Sequence, residues 1–146
     1  HRFLEFYRGF LEFLNSKKDS RKEEIVNCII EYVKSHYHDP NLTVEVLAEQ
    51  VSLSPNYIRT IFKDHTNESL SAFIVNTRLE KARELLETTD CPANKISEMV
   101  GFQSSGYFYV NFRKYSGKTP NEYRKEFRRK RVGREEKVTM SQSWHV

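Results

Sequence analysis

A chain of 146 residues has room for one domain, or two very small ones sharing a connector. With 38% hydrophobic and 30% charged residues it reads as a soluble helical protein with modest cores. No apolar run approaches the ~20 residues needed to cross a bilayer, which argues against membrane contact by this segment. The net charge is only +4, but residues 113–137 carry eleven Lys/Arg and four Glu, a balance of +7 that leaves −3 for the rest. A basic C-terminal third suggests a polyanion partner, and a solvated basic tail is the plainer alternative.

The start, His1-Arg2-Phe3-Leu4-Glu5, lacks the continuous apolar stretch and small-residue cleavage site of a signal peptide. It also lacks an initiator Met, so a piece cut from a longer protein is expected. Cys28 and Cys91 supply neither a disulfide framework nor a metal-ligand spacing, and a reducing cytoplasm is the expected compartment.

In chain order, Phe3, Phe6, Phe10 and Phe13 run beside Leu4, Tyr7, Leu11 and Leu14, one broad apolar stripe on a helix. The polar segment 16–21 reads as a linker. A second amphipathic helix follows, with Val26, Ile29, Ile30, Val33 and Tyr37 on one face, and it must end before Pro40. Two short helices come next. Thr43 can cap the first, which turns Leu47, Ala48 and Val51 inward; Ser52-Leu53 is the turn. Ser54 caps the second, with Pro55 at the first position and Ile58, Ile61 and Phe62 inside. A long helix from about Ser69 to Glu87 has Leu70, Phe73, Ile74, Ala82, Leu85 and Leu86 as its stripe and would span roughly 28 Å.

The pattern then repeats. Leu47 through Leu53 set over Ile96 through Phe102 at an offset of 49, while Ile58, Phe62, Lys63 and Thr66 match Phe108, Phe112, Arg113 and Ser116 at an offset of 50. One residue has therefore entered the second turn region. Gly101 suits a turn with positive φ; its counterpart Ser52 suits it less well. After Gly117, Thr119-Pro120-Asn121-Glu122 combines an N-cap, a first-position Pro and the Glu of a capping box. No strand-like alternation competes, so the chain is expected to be all-α.

A helix pair joined by a tight turn, with a small residue (Ala48, Ser97) in its first helix, is the helix-turn-helix pattern. One copy is a weak signal; two copies flanking a helix of suitable length are far more specific. At this point the chain resembles the AraC/XylS family of bacterial transcription activators over about residues 22–127. The resemblance is carried by Lys81-Ala82-Arg83-Glu84-Leu85-Leu86, Ile96, Gly101-Phe102, Tyr107-Phe108, Phe112-Arg113-Lys114-Tyr115, Gly117 and Thr119-Pro120-Asn121-Glu122-Tyr123-Arg124. The first unit agrees through Leu42-Thr43, Leu47-Ala48-Glu49, Leu53-Ser54-Pro55, Tyr57-Ile58 and Ile61-Phe62-Lys63.

The resemblance implies about seven helices, forming two helix-turn-helix subdomains (about 43–65 and 93–116) joined by a long central helix (about 69–87). It also implies that the second helix of each unit enters a major groove of promoter DNA, so that two adjacent groove segments are contacted. In the first unit helical phase agrees. With Ile58, Ile61 and Phe62 inward, Asn56, Arg59, Thr60 and Lys63 point outward: Arg59 offers a fork to guanine, Asn56 an amide to adenine, Thr60 a methyl to thymine, and Lys63 a cation to phosphate. In the second unit the family-like positions fall on Ser104, Ser105, Gly106, Tyr109, Val110 and Arg113. Val110 stands where the family often has Arg, and Asn111 where it is usually apolar. Val110 cannot donate to a base edge, so this helix would read thymine methyls or mostly shape, and Asn111 either weakens the inner face or bonds to backbone. Asn67 stands where Gly is frequent, a mild departure because Asn tolerates left-handed geometry.

Double-stranded DNA and RNA polymerase are the partners this implies. Residues 1–21 read as an amphipathic linker helix from an upstream module, with a dimer or regulatory-domain contact favoured over a helix folded back on its own domain. Residues 128–146 read as a basic, disordered tail, with Arg128-Arg129-Lys130-Arg131 near the DNA backbone as the alternative. His36 and His38 lack further ligands for a metal. With no Gly-rich phosphate loop, nucleophile elbow or plausible Ser/His/Asp set, neither an enzyme nor a cofactor is expected. The competing class is a helical protein-interaction module whose outer faces bind protein.

Overall fold

The computed structural model describes residues 5, 7, 8 and 18–143, and no strand occurs among them. From residue 18 onward seven helices follow: α1 (Lys18–His36), α2 (Val44–Val51), α3 (Pro55–Thr66), α4 (Leu70–Thr88), α5 (Ala93–Met99), α6 (Ser105–Ser116) and α7 (Pro120–Ser143). They divide into two compact units, the first ending at Arg78 and the second beginning at Leu79, so that α4 runs unbroken through the division.

In the first unit α1, α2, α3 and the start of α4 enclose an aliphatic core of Ile25, Val26, Ile29, Val33, Leu42, Val44, Leu47, Ala48, Val51, Ile58, Ile61, Leu70 and Ile74, with Phe62 as its large ring. Phe73 packs on Phe62 at 5.3 Å between ring centroids. Periodicity misplaces part of the α1 face. Ile25 and Cys28 are buried there, Ile30 is half-buried, and Tyr37 lies beyond the end of the helix. A wide stripe lets a rotation of a few tens of degrees exchange its edge positions, and only the packing partner settles which edge is covered. Tyr7 is 2% exposed and belongs to this same core. Burial pushes its hydroxyl up to about 12, against a smaller opposing pull from Arg21. At Tyr7, therefore, the chain adds a ring to the core of its first unit. Phe3, Leu4, Phe6, Phe10, Leu11, Phe13 and Leu14 lie outside the described residues.

The second unit repeats the plan with the end of α4, α5, α6 and α7. Its core joins Leu79, Ala82, Leu86, Ala93, Ile96 and Val100 to Phe102, Phe108 and Phe112. The rings form a chain, with Phe102–Phe108 at 5.2 Å, Phe108–Phe112 at 5.6 Å and Phe112–Tyr123 edge-on at 5.6 Å. Tilted and edge-on contacts suit the ring quadrupoles. Leu79 is buried although the α4 stripe read from sequence omits it, while Phe73 and Leu85 on that stripe are half-buried.

The caps explain where the helices start. Backbone N–H groups of Val46, Tyr57 and Tyr107 donate to the hydroxyls of Thr43, Ser54 and Ser104 at 3.1–3.2 Å. Ala72 N–H donates to Ser69 Oγ, and Thr119 and Glu122 close a reciprocal capping box. Each such cap satisfies donors that the first turn leaves open. The stops are left-handed: Ser52 (φ 56), Asn67 (φ 60), Gly101 (φ 99) and Gly117 (φ 78). Gly101 N–H bonds Glu98 O, as Ser52 N–H bonds Glu49 O, and Phe102 N–H bonds Ser97 O, as Leu53 N–H bonds Ala48 O. The register stays at 49 through Phe102 and becomes 50 at the Ser104 cap, which identifies Gln103 as the inserted residue.

Helix α7 continues through residues 128–143, where the sequence reading has a disordered tail. That reading rests on the run of basic residues. The helical path is accompanied instead by i,i+4 ion pairs, Glu126–Lys130 and Arg131–Glu135, each worth only a few tenths of a kcal/mol. Its residues beyond 127 are almost all exposed. Residues 144–146 of the expected tail lie outside the described residues.

Candidate nucleic-acid interface

The two exposed faces to compare belong to α3 and α6, the second helices of the two turns. Each is clamped from behind. Ile58, Ile61 and Phe62 hold α3, and Phe108 and Phe112 hold α6, all 3% exposed or less. Behind them the first helices come close because Ala48 and Ser97, 2% and 1% exposed, have side chains too small to separate the backbones.

On α3 the residues Asn56, Arg59, Thr60 and Lys63 are all exposed. Arg59 donates through Nη2 to Glu45 Oε1 at 2.5 Å, an ion pair reaching from α3 to the first turn of α2. The Glu45 carboxyl is held below its usual range, first by a hydrogen bond from its own backbone N–H and then by Arg59. Thr60 donates its hydroxyl hydrogen to Asn56 O at 2.9 Å, so the hydroxyl is engaged on the helix. Lys63 does not reach freely into solvent, because its Nζ donates to Asn67 O at 3.1 Å at the end of its own helix. A lysine there also complements the negative end of the helix dipole. To meet a phosphate it must exchange that carbonyl for the new acceptor.

On α6, Ser104 is the cap and its hydroxyl accepts Tyr107 N–H. Ser105 and Gly106 are exposed, and a Cβ built on Gly106 meets nothing within 4 Å, leaving bare backbone on this turn. Tyr109 is half-buried and leans on Phe108 at 5.8 Å. Val110 is 56% exposed, and Arg113 is exposed on the following turn. Asn111 donates its amide to Tyr107 O at 2.8 Å, the backbone bond that lets a polar residue occupy an inner-edge position.

Three residues of consequence escape a reading by helical phase. Glu45 sits fourteen positions before Arg59, and in sequence it looks only like an acid favourable to a helix start. Tyr57 (39% exposed) and Tyr107 (54% exposed) are aromatic, which suggests core, yet both stand open on the first turns of α3 and α6. Their shared offset of 50 is the signal that would have found them.

Behind these faces, arginines tie each unit together. Arg78, 7% exposed, donates from Nε to Tyr37 O at 2.8 Å and from Nη2 to Asp39 O and Leu42 O at 2.9 and 3.4 Å. In the second unit Arg124 donates to Leu86 O (3.1 Å) and Cys91 O (2.5 Å), and Arg128 to Thr89 O and to the Asp90 carboxylate. A further knot joins Arg83 to Glu87, whose carboxylate also accepts the Tyr123 hydroxyl at 3.0 Å. Burial alone would make Arg83 easier to deprotonate; Tyr123, Tyr115 and Glu87 outweigh it and hold the guanidinium charged.

Comparison with known proteins agrees with this arrangement. Residues 47–126 match the family described as a helix-turn-helix domain. The chain is 33% identical over 105 residues to the raffinose operon transcriptional regulatory protein RafR of Pediococcus pentosaceus, covering 72% of this chain and 38% of that protein. Its structure is similar to the C-terminal domain of AraT, a response regulator from Geobacillus stearothermophilus (TM-score 0.68, 35% identity, 70% of this chain and 84% of that one). It is likewise similar to the DNA-binding domain of AdpA in complex with a target DNA (TM-score 0.70, 25% identity, 73% and 96%). With two capped helix-turn-helix units of one plan and these relatives, the chain belongs to the AraC-type family of helix-turn-helix DNA-binding domains.

Proposed function

We propose that this chain is the sequence-specific DNA-binding part of a bacterial transcription regulator working in the cytoplasm, with α3 as its principal base-reading helix. The observation that carries this reading is the outer face of α3. Asn56, Arg59 and Thr60 stand exposed on a helix whose opposite side is locked into the core. Asn and Arg are the side chains that pair bidentately with adenine and guanine edges, and the Thr60 methyl suits thymine. Lys63 and Arg113, one turn further along α3 and α6, serve the backbone, because phosphate contacts position a protein without reading sequence. Through Ser104, Ser105, Gly106, Tyr109 and Val110, α6 contributes close approach and apolar contact, so the second unit senses groove shape more than base identity. The exposed arginines of α7 add sequence-independent attraction.

The chain spans 38% of the length of the raffinose operon regulator. An upstream module that receives the signal, and a contact with RNA polymerase, belong to the same proposal. A mobility shift on random genomic duplexes, followed by selection of enriched sites, tests it. A selected motif with at least one strongly preferred G·C pair is expected; binding with no enrichment would refute base reading. One observation favours a second reading for the second unit alone. Tyr107 and Val110 are large, exposed and on the same helix, a face that would also suit a protein partner. Substitutions on α6 that left DNA binding untouched would favour it.

A further inference from the structure

The polar face of α3 does not present Arg59 alone. The guanidinium is already held by a carboxylate from a different helix, 2.5 Å away, in a pair whose side chains are 43% and 64% exposed. We infer that Glu45 is a specificity-determining positioning residue: it holds the Arg59 fork for one base and penalises binding wherever that fork is not satisfied. This rests on the assignment of α3 as the reading helix.

Three features carry it. First, the contact is monodentate, from one Nη2 hydrogen to Oε1, so the remaining guanidinium donors are left for a base edge. An arginine held at one corner loses less conformational freedom on binding than one that must be ordered from solution. Second, Glu45 stands in the first turn of α2, where its own backbone N–H and Arg59 both favour the charged carboxylate, so the acid is ionised when it meets the guanidinium. Third, among the described residues the pair occurs only in the unit with the polar face. At the same register the second unit has Asn94 for Glu45 and Tyr109 for Arg59, and Asn94 turns its side chain back to the Lys95 N–H. A carboxylate beside DNA phosphates is repulsive unless a cation neutralises it. It is tolerable where Arg59 is engaged with both the acid and a guanine. At a mismatched site no guanine takes the remaining donors, and the fork that Glu45 holds in place is left unsatisfied against the wrong base edge.

The test uses the whole chain and the duplex selected for it, with variants of that duplex carrying each alternative base pair at the position whose preference Arg59→Ala removes. Binding is titrated by fluorescence anisotropy at two salt concentrations. Wild type should favour its preferred pair by roughly five- to a hundredfold. Glu45→Ala should lower that ratio about threefold or more at this one position, while affinity for scrambled DNA rises severalfold at low salt. Glu45→Gln, which keeps an oxygen acceptor but not the charge, should retain more of the ratio than alanine and share the rise on scrambled DNA. In the Arg59→Ala background, Glu45→Ala should raise affinity for every duplex alike and change no ratio. If Arg59→Ala abolishes the preference and Glu45→Ala leaves it intact, the positioning role is refuted and α3 remains the reader. If neither variant changes any preference, the assignment of α3 fails and this inference with it.

Discussion

Residues 54–67 and 104–117 share a serine cap, a buried aromatic at the eighth helical position and a left-handed stop, yet they present different surfaces. Where α3 exposes Asn56, Arg59 and Thr60, the same positions of α6 carry Gly106, Tyr109 and Val110. The cores differ in the opposite sense, aliphatic in the first unit and a chain of rings in the second. Backbone plan and surface chemistry are thus separable. Caps, small residues and stops build the frame, and any residue pointing away from the core can change without disturbing it.

The arginine anchors offer the largest effect with which to break this comparison. Arg78 is buried and serves three carbonyls, while Arg128, at the matching register, is exposed and shares its task with Arg124. Arg78→Ala should cost about 3 kcal/mol of stability, since it removes a buried side chain and strands the half-buried Tyr37 and buried Leu42 carbonyls. Arg128→Ala should cost under about 1 kcal/mol, as an exposed ion pair does. Chemical denaturation of the two variants decides it; equal losses would mean that the units are anchored alike.

Binding comes next. Arg59→Ala should lose roughly 1–3 kcal/mol and relax preference at one base pair. Val110→Ala on α6 should lose under about 1 kcal/mol, with no position singled out, because an aliphatic side chain has no donor to misplace. Competition binding on single-substituted duplexes distinguishes the two patterns. A sharp positional loss for Val110→Ala would show that the second unit also reads bases.

Smaller effects sharpen the frame itself. The turns of the first unit force Ser52 and Asn67 into left-handed backbone, while the second unit uses Gly101 and Gly117. Ser52→Gly should stabilise by up to about 1 kcal/mol and Gly117→Ala should cost about 1 kcal/mol, opposite signs from one steric cause. Thermal melts of both check it. Last, the Ser97 hydroxyl is buried with no hydrogen-bond partner among the described residues, where the first unit has Ala48. Ser97→Ala should be neutral or stabilising by about 0.5–1 kcal/mol in the same assay, by removing an unsatisfied donor. A clear loss would mean that the hydroxyl has found a partner.

Local chemistry was enough, from the amino-acid order alone, to determine the helices of the two repeated units, though not the continuation of the last helix through residues 128–143. Thr43, Ser54 and Thr119 act on donors within one turn, Pro40 acts on its own neighbours, and an inward face shows in the 3.6-residue period, so each is legible without any knowledge of distant residues. Those same rules place Asn56, Arg59, Thr60 and Lys63 outside by elimination. What the period left open is which edge of a wide stripe is covered: Ile25 and Leu79 went inside while Ile30 and Leu85 stayed half-out, a choice made by the facing helix. Nor could it reveal that Arg78 belongs to carbonyls some forty residues earlier, that Tyr7 enters the first core, or that Lys63 is spent on Asn67. Glu45 is the clearest case. A carboxylate and a guanidinium attract over a few ångströms wherever the backbone brings them together, and only the packing of α2 on α3 makes neighbours of two residues separated by most of one helix, a turn and the start of the next.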